Sequence, residues 1–148
     1  MSQESQGAEH IGVSVEQAFL GIDPGEKRIG VAYKAAGEIA AQPMLVLENN
    51  ADIYTKIAGL AEERDCTSVI VGLPRNVHGN DTTQTAQARA FAGELADASG
   101  LHVIMYDEFG SSARARERLG AKTRAEEKRH LDAVAAAILI EDYIEGLT

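Results

Sequence analysis

Three acidic positions carry the chemistry this chain can offer: Asp23, the pair Asp107-Glu108, and Asp132. Asp23 ends the run FLGI just before Pro24-Gly25, Asp107-Glu108 closes LHVIMY, and Asp132 is the only charge in LDAVAAAILI. A carboxylate in such apolar company is costly unless it is paired, solvated or bound to a metal. Each also has an ordinary reading. Asp23 opens a Pro-Gly turn, Asp107-Glu108 faces solvent at a strand end, and Asp132 sits in the first turn of a last helix, where the dipole favours an anion. Taken together they form a set of hard oxygen donors with no His/Cys cluster, which favours Mg²⁺ or Mn²⁺ over zinc. Two such ions about 4 Å apart activate water and stabilise the leaving oxygen in phosphodiester cleavage. One carboxylate must bridge them, and the strand-borne Asp23 is the most rigidly held.

The elements that must position these acids follow from the apolar pattern. AFLGI and IGVAYKA read as strands of a hairpin around PGEKR, and EIAAQPMLVLE as a third strand kept at an edge by Pro43. ADIYTKIAGLAEERD has its apolar residues at helical spacing, TSVIVGLP is a buried strand, and RNVHGND is a loop. Thr82 or Thr83 caps the next helix, which runs to about Ala98. LHVIMYDE is the last strand; SSARARERLG a short polar helix; AKTRAE a mobile stretch; EKRHLDAVAAAILIEDYIEG the final helix. The fold class is therefore α/β, a mixed five-stranded sheet with its first three strands antiparallel and helices on both faces. Ligand sites in such sheets form beyond the carboxyl ends of the strands, where the three acidic positions fall.

The chain has 148 residues, 45% of them hydrophobic, which suits one domain over 17–148 behind a polar tail over 1–16. A single cysteine, Cys66, excludes an internal disulfide framework and suits a reducing cytoplasm as a structural thiol. No apolar run is long enough to cross a membrane, and the polar start carries no secretory pattern. The net charge of −9 excludes a protein that coats nucleic acid by charge alone. Yet seven of the 14 Lys and Arg lie between Phe109 and His130, among them Arg114, against three glutamates. That segment is either a solvated helix face or a patch that contacts phosphates beside a catalytic site.

Several blocks also resemble one known family. GIDPGEKRIGVAY, VIVGLPRNVHGN with TAQARAFAGEL, VIMYDE and HLDAVAAAILIEDYI occur in the order of the YqgF family, small bacterial proteins similar to Holliday-junction resolvases. The resemblance spans about Phe19 to Glu145. It implies an RNase H-like fold and a cytoplasmic, metal-dependent nuclease that matures the 5′ end of precursor 16S rRNA, with Holliday-junction resolution as the alternative. It makes Asp23, Glu108 and Asp132 the catalytic, metal-holding acids for two Mg²⁺ or Mn²⁺ ions. Lys27, Arg28, Asn76, Ser111 and Ser112 become the substrate-contacting residues, and Arg114 of the basic segment is expected to join them. The expected partner is nucleic acid, precursor rRNA or branched DNA, bound by a monomer or homodimer.

The chain departs from the family pattern at Asp23-Pro24-Gly25, usually Asp-Val-Gly, and after Glu108, where Phe109 replaces an arginine and Ser111-Ser112 a threonine pair. GIDPGEKRIG also resembles the phosphate-binding hairpin of actin-like kinases, but those clamp a nucleotide between two such domains. A non-catalytic RNA-binding module is the remaining alternative; it would tolerate Asp23→Asn.

Overall fold

The computed structural model describes residues 14–108 and 124–147, with backbone only for Glu108, residues 124–130 and Leu147. The elements run β1 (Phe19–Pro24), β2 (Arg28–Lys34), β3 (Gln42–Glu48), α1 (Ile53–Glu63), β4 (Ser68–Pro74), α2 (Thr83–Ser99), β5 (His102–Glu108) and α3 (Arg124–Leu147). The five strands form one sheet in the order β3-β2-β1-β4-β5. β1, β2 and β3 pair antiparallel, while β1–β4 and β4–β5 pair parallel, as the hairpin-rich start followed by βαβα units predicts. The short polar helix expected over SSARARERLG lies outside the described residues, as does the 121–123 part of the stretch expected to be mobile.

Both faces of the sheet are buried, which is why β4 reads as a continuous apolar run rather than an alternating one. Leu20, Ile22, Val69 and Val71 point into one core with Ile53, Ile57 and Ala61 of α1 and Phe91, Ala92 and Leu95 of α2. Phe19, Ala32 and Ile70 point the other way, against Ala136, Ala137, Leu139 and Ile140 of α3. β3 is an edge strand: Pro43 pairs with Ala32 beside a register shift between Val31 and Ala32. An edge tolerates the missing N–H of proline. Thr82 caps α2 in a reciprocal capping box with Thr85, and Gly100 ends it in the left-handed conformation at φ 74°.

Ser14 to Glu16, expected to belong to a tail, are held against the fold. The buried Lys34 donates from Nζ to the Val15 carbonyl at 2.6 Å and lies 5.0 Å from the Phe19 ring centroid. Burial pushes the Lys34 ammonium below its usual range, opposed by Glu16, Glu38 and Cys66.

Two glycines decide how close α3 comes to the sheet. A Cβ on Gly21 would stand 2.9 Å from the Ala136 carbonyl oxygen, and one on Gly30 would stand 2.1 Å from the carbonyl oxygen of Asp132. Both distances are below any real carbon–oxygen contact of this kind, so the alanine-rich helix lies on β1 and β2 only because these positions carry no side chain.

Candidate active site

Asp23 lies within β1, paired in the ladder with Gly30 of β2, so it does not open the turn as its sequence setting suggests. The turn proper is Gly25–Lys27. It is braced from β3's end by Asn49, whose Nδ2 donates to the Gly25 carbonyl at 3.0 Å and the Glu26 carbonyl at 3.3 Å. The Asn49 backbone N–H donates to the Lys27 carbonyl at 2.9 Å. A Cβ at Gly25 would collide with the Arg28 carbonyl at 2.5 Å, so glycine is required for this tight return.

The second acid is placed differently from expectation. α3 begins at Arg124, so Asp132 lies more than two turns inside the helix and not in its first turn. The helix dipole falls off within one turn and does not account for a carboxylate there. Its position is set by contact: the Asp132 carbonyl packs over Gly30, the ladder partner of Asp23. Arg28 Nε donates to Asp132 Oδ2 at 3.2 Å. With the Asp132 side chain 25% exposed and that of Arg28 45% exposed, this pair stands open to solvent and contributes little to stability. Its consequence is positional, a carboxylate held at the mouth of a cleft.

That cleft has a volume of about 440 Å³. Asp23, Pro24 and Asp132 form one wall, Pro74 closes the end of β4, and Gln84, Gln87, Ala88 and Phe91 of α2 form the other. Glu108 ends β5 opposite Pro74. It follows Ile104 and Tyr106, the β5 residues that pack on the α3 side of the sheet, so its register position belongs to the face shared by Gly21, Gly30 and α3. Among the described residues no three His, Cys, Asp or Glu side chains form a metal-holding group, and the Glu108 side chain is not among them. Asp23 and Asp132 on one cleft, both hard oxygen donors, suit Mg²⁺ or Mn²⁺.

Of the other sequence-derived candidates, Lys27 is exposed on the braced turn beside Arg28. Ser111, Ser112 and Arg114 lie outside the described residues. Asn76 shapes its own loop, its Oδ1 accepting from the backbone N–H groups of His78 and Asn80, both at 2.9 Å. The same loop contains a residue that sequence reasoning passed over. Arg75 donates to Asp107 Oδ1 from Nε at 3.1 Å and Nη2 at 2.8 Å, and also pairs with Asp81. The hydrogen bond to Asp107, countered in part by burial, pushes the already high Arg75 pKa further up. No local signal marks Arg75, because its partner lies 32 residues away. Cys66 is buried, as a structural thiol should be.

Comparison with known proteins bears on this arrangement. The family model described as "RuvX: Holliday junction resolvase" matches residues 17–146. A "Putative pre-16S rRNA nuclease" of Bordetella parapertussis is 36% identical over 134 residues, covering 89% of this chain and 96% of its own length. Proteins of the same name from Chloroflexus aggregans and Shewanella denitrificans are 36% and 34% identical, covering 95% and 98% of their own lengths. Among solved structures, Thermus thermophilus RuvC in complex with a Holliday junction superposes with a TM-score of 0.54 at 19% identity, over 88% of this chain and 96% of that one. At that identity the likeness speaks for the fold, which is RNase H-like. By the extent of the family match and the identity shared with these full-length relatives, this chain belongs to the RuvX family.

Proposed function

We propose that this protein is a divalent-metal-dependent nuclease acting in 5′-end maturation of precursor 16S rRNA. The observation that carries the reading is the convergence of Asp23 and Asp132, 109 positions apart in sequence, on one cleft beyond the carboxyl end of β1. The relatives named for pre-16S rRNA processing supply the substrate class.

In this reading Asp23, Asp132 and Glu108 hold Mg²⁺ or Mn²⁺, a two-ion arrangement being the usual one for carboxylate nucleases. The bound ions would supply Lewis-acid stabilisation of the scissile phosphate and an activated water. The chain's own contribution is positional. β1 is an inner strand, so Asp23 has little freedom, and the Arg28 contact holds the Asp132 carboxylate at the cleft mouth. Lys27, on a turn braced by Asn49, is available to a substrate phosphate as a point charge.

The test is cleavage of a precursor 16S rRNA 5′-end fragment in Mg²⁺ or Mn²⁺. EDTA-sensitive cutting is expected, and Asp23→Asn should reduce it by at least about 100-fold, the scale of losing one preorganised electrostatic stabiliser. The variant should keep the wild-type melting temperature. Full activity in Asp23→Asn would refute the assignment. A four-way DNA junction belongs in the same assay, because the family's description names Holliday junction resolution. Cutting of the junction and not of the RNA would reassign the substrate while leaving the chemistry in place.

A further inference from the structure

The cleft does not end at the acids. Its far wall is a stripe of α2 made by Gln84, Gln87, Ala88 and Phe91, at spacing i, i+3, i+4 and i+7, which one helix face presents together. Ala88 and Phe91 are buried, and give that end an apolar floor. Gln84 and Gln87 are exposed above it, and neither carboxamide hydrogen-bonds to another described residue. Asn49, the other amide on the cleft, is already committed to the 25–27 turn. Among the described residues the two glutamines are thus uncommitted donor–acceptor groups over an apolar floor, in the same cavity as Asp23 and Asp132.

Phosphate is a poor match for this end. Carboxamides do bind backbone phosphates, but beside cations, and among the described residues this wall has none, while the carboxylates of Asp23, Glu26 and Asp132 line the remainder of the cleft and repel an anion. A neutral, flat, hydrogen-bonding group fits better. Primary carboxamides pair bidentately with the N6/N7 edge of adenine, and unpaired bases of single-stranded RNA are read in this way when splayed from the stack. Phe91 is too buried to serve as a stacking platform, so recognition there would be by the base edge and not by the ring face. The cleft volume of about 440 Å³ lies within the range of about 300–1,000 Å³ usual for small-molecule sites, enough for one nucleotide unit beside the acids.

We propose that Gln84 and Gln87 form a base-reading subsite that accepts one unpaired nucleobase, adenine best, next to the phosphate cut at Asp23 and Asp132. The inference rests on the nuclease reading and adds a sequence preference to it. The substrate is the full chain's own: a single-stranded RNA oligonucleotide, and its DNA counterpart, with each position around the cut varied through all four bases. Wild type should prefer adenine at one position adjacent to the cut by about tenfold, the lower part of the range for one bidentate pair. The double variant Gln84→Ala/Gln87→Ala should bring that ratio close to one, and Gln87→Glu, an acceptor only, should move the preference toward cytosine. Both positions are exposed on the helix and alanine suits a helix, so folding is preserved and is checked by the melting temperature. A base preference unchanged in the double variant, or no preference in a wild type that cuts, would overturn this inference alone. A wild type that cuts neither strand with Mg²⁺ or Mn²⁺ would overturn the nuclease reading, and this inference with it. Equal preference on the RNA and DNA oligonucleotides would show that the base, without the 2′-hydroxyl, is what the subsite reads.

Discussion

Position 30 shows how one missing side chain builds a site. Gly30 faces Asp23 across the β1–β2 ladder and lies directly beneath the Asp132 carbonyl. Gly30→Ala would set a methyl 2.1 Å from that oxygen, which belongs to helix backbone and cannot turn aside as a side-chain end would. The helix must lift, and Asp132 with it. Overpacking of this kind costs about 1–3 kcal/mol, so a lower urea midpoint is expected, accompanied by a loss of cleavage larger than the loss of folded protein explains. Unaltered activity in a folded Gly30→Ala protein would separate Asp132 from catalysis. The local sequence around Asp132 invites the dipole explanation, and the structure removes it by starting α3 two turns earlier.

At the scale of elements, the connection from β4 to α2 is held down by charge. Arg75, just past β4, ties Asp107 of β5 to Asp81, while Arg89 of α2 approaches Asp81 at 3.6 Å. Asp107 immediately precedes Glu108, so Arg75 fixes the backbone from which the third candidate acid departs. Arg75→Ala should let the amides of 75–81 exchange hydrogen faster, with α1 unaffected, because the loop is otherwise held to the rest of the fold mainly through the Thr85 hydroxyl, its remaining bonds to Asn76 being internal. Arg75→Lys, a point charge without the fork, should restore only part of the protection. Equal exchange in all three proteins would show that the ion pairs do not order the loop. The pattern β-hairpin, edge strand, then two βα units was legible in hydrophobic spacing, as were the Thr82 cap and the edge role of Pro43. Arg75's role was not, since an ion pair across 32 residues leaves no periodic trace.

For the molecule as a whole, two bulk responses follow. Burial pushes the Cys66 thiol up to about 11; Arg64 and Lys34 oppose this and Asp65 adds to it. The unfolded chain releases that proton near the ordinary 9.0, whereas the fold retains it. This contribution is therefore complete below pH 9 and is lost as pH rises toward about 11. Tyr54, pushed up to about 12 by burial and by Glu94, acts in the same sense, and Lys34, pushed down, acts in the opposite one. The fall in melting temperature between about pH 8.5 and 10.5 should be shallower in Cys66→Ala than in wild type; equal slopes would show that the thiol does not titrate with unfolding. The second response is to salt. A chain of net charge −9 holds nucleic acid only through local cations, of which Lys27 and the 109–130 segment are the candidates. For about four phosphate contacts to a single strand, binding should weaken on the order of 50-fold from about 50 to 200 mM salt, read by fluorescence anisotropy. An affinity indifferent to salt would rule out phosphate contacts as its source.

Apolar periodicity alone determined the strands, the helices and their two faces, because burial on a period of two or of 3.6 residues is written locally. It also marked Asp23 and Asp132 as acids in apolar company. What only the tertiary structure decided is which acids meet. Asp132 comes to Asp23 because two glycines on neighbouring strands let one helix backbone touch the sheet. The carboxamides of Gln84 and Gln87 come to the same cleft because β4 lies beside β1 and carries α2 with it. Such meetings depend on close approach between segments far apart in the chain, and no spacing within any one segment encodes them.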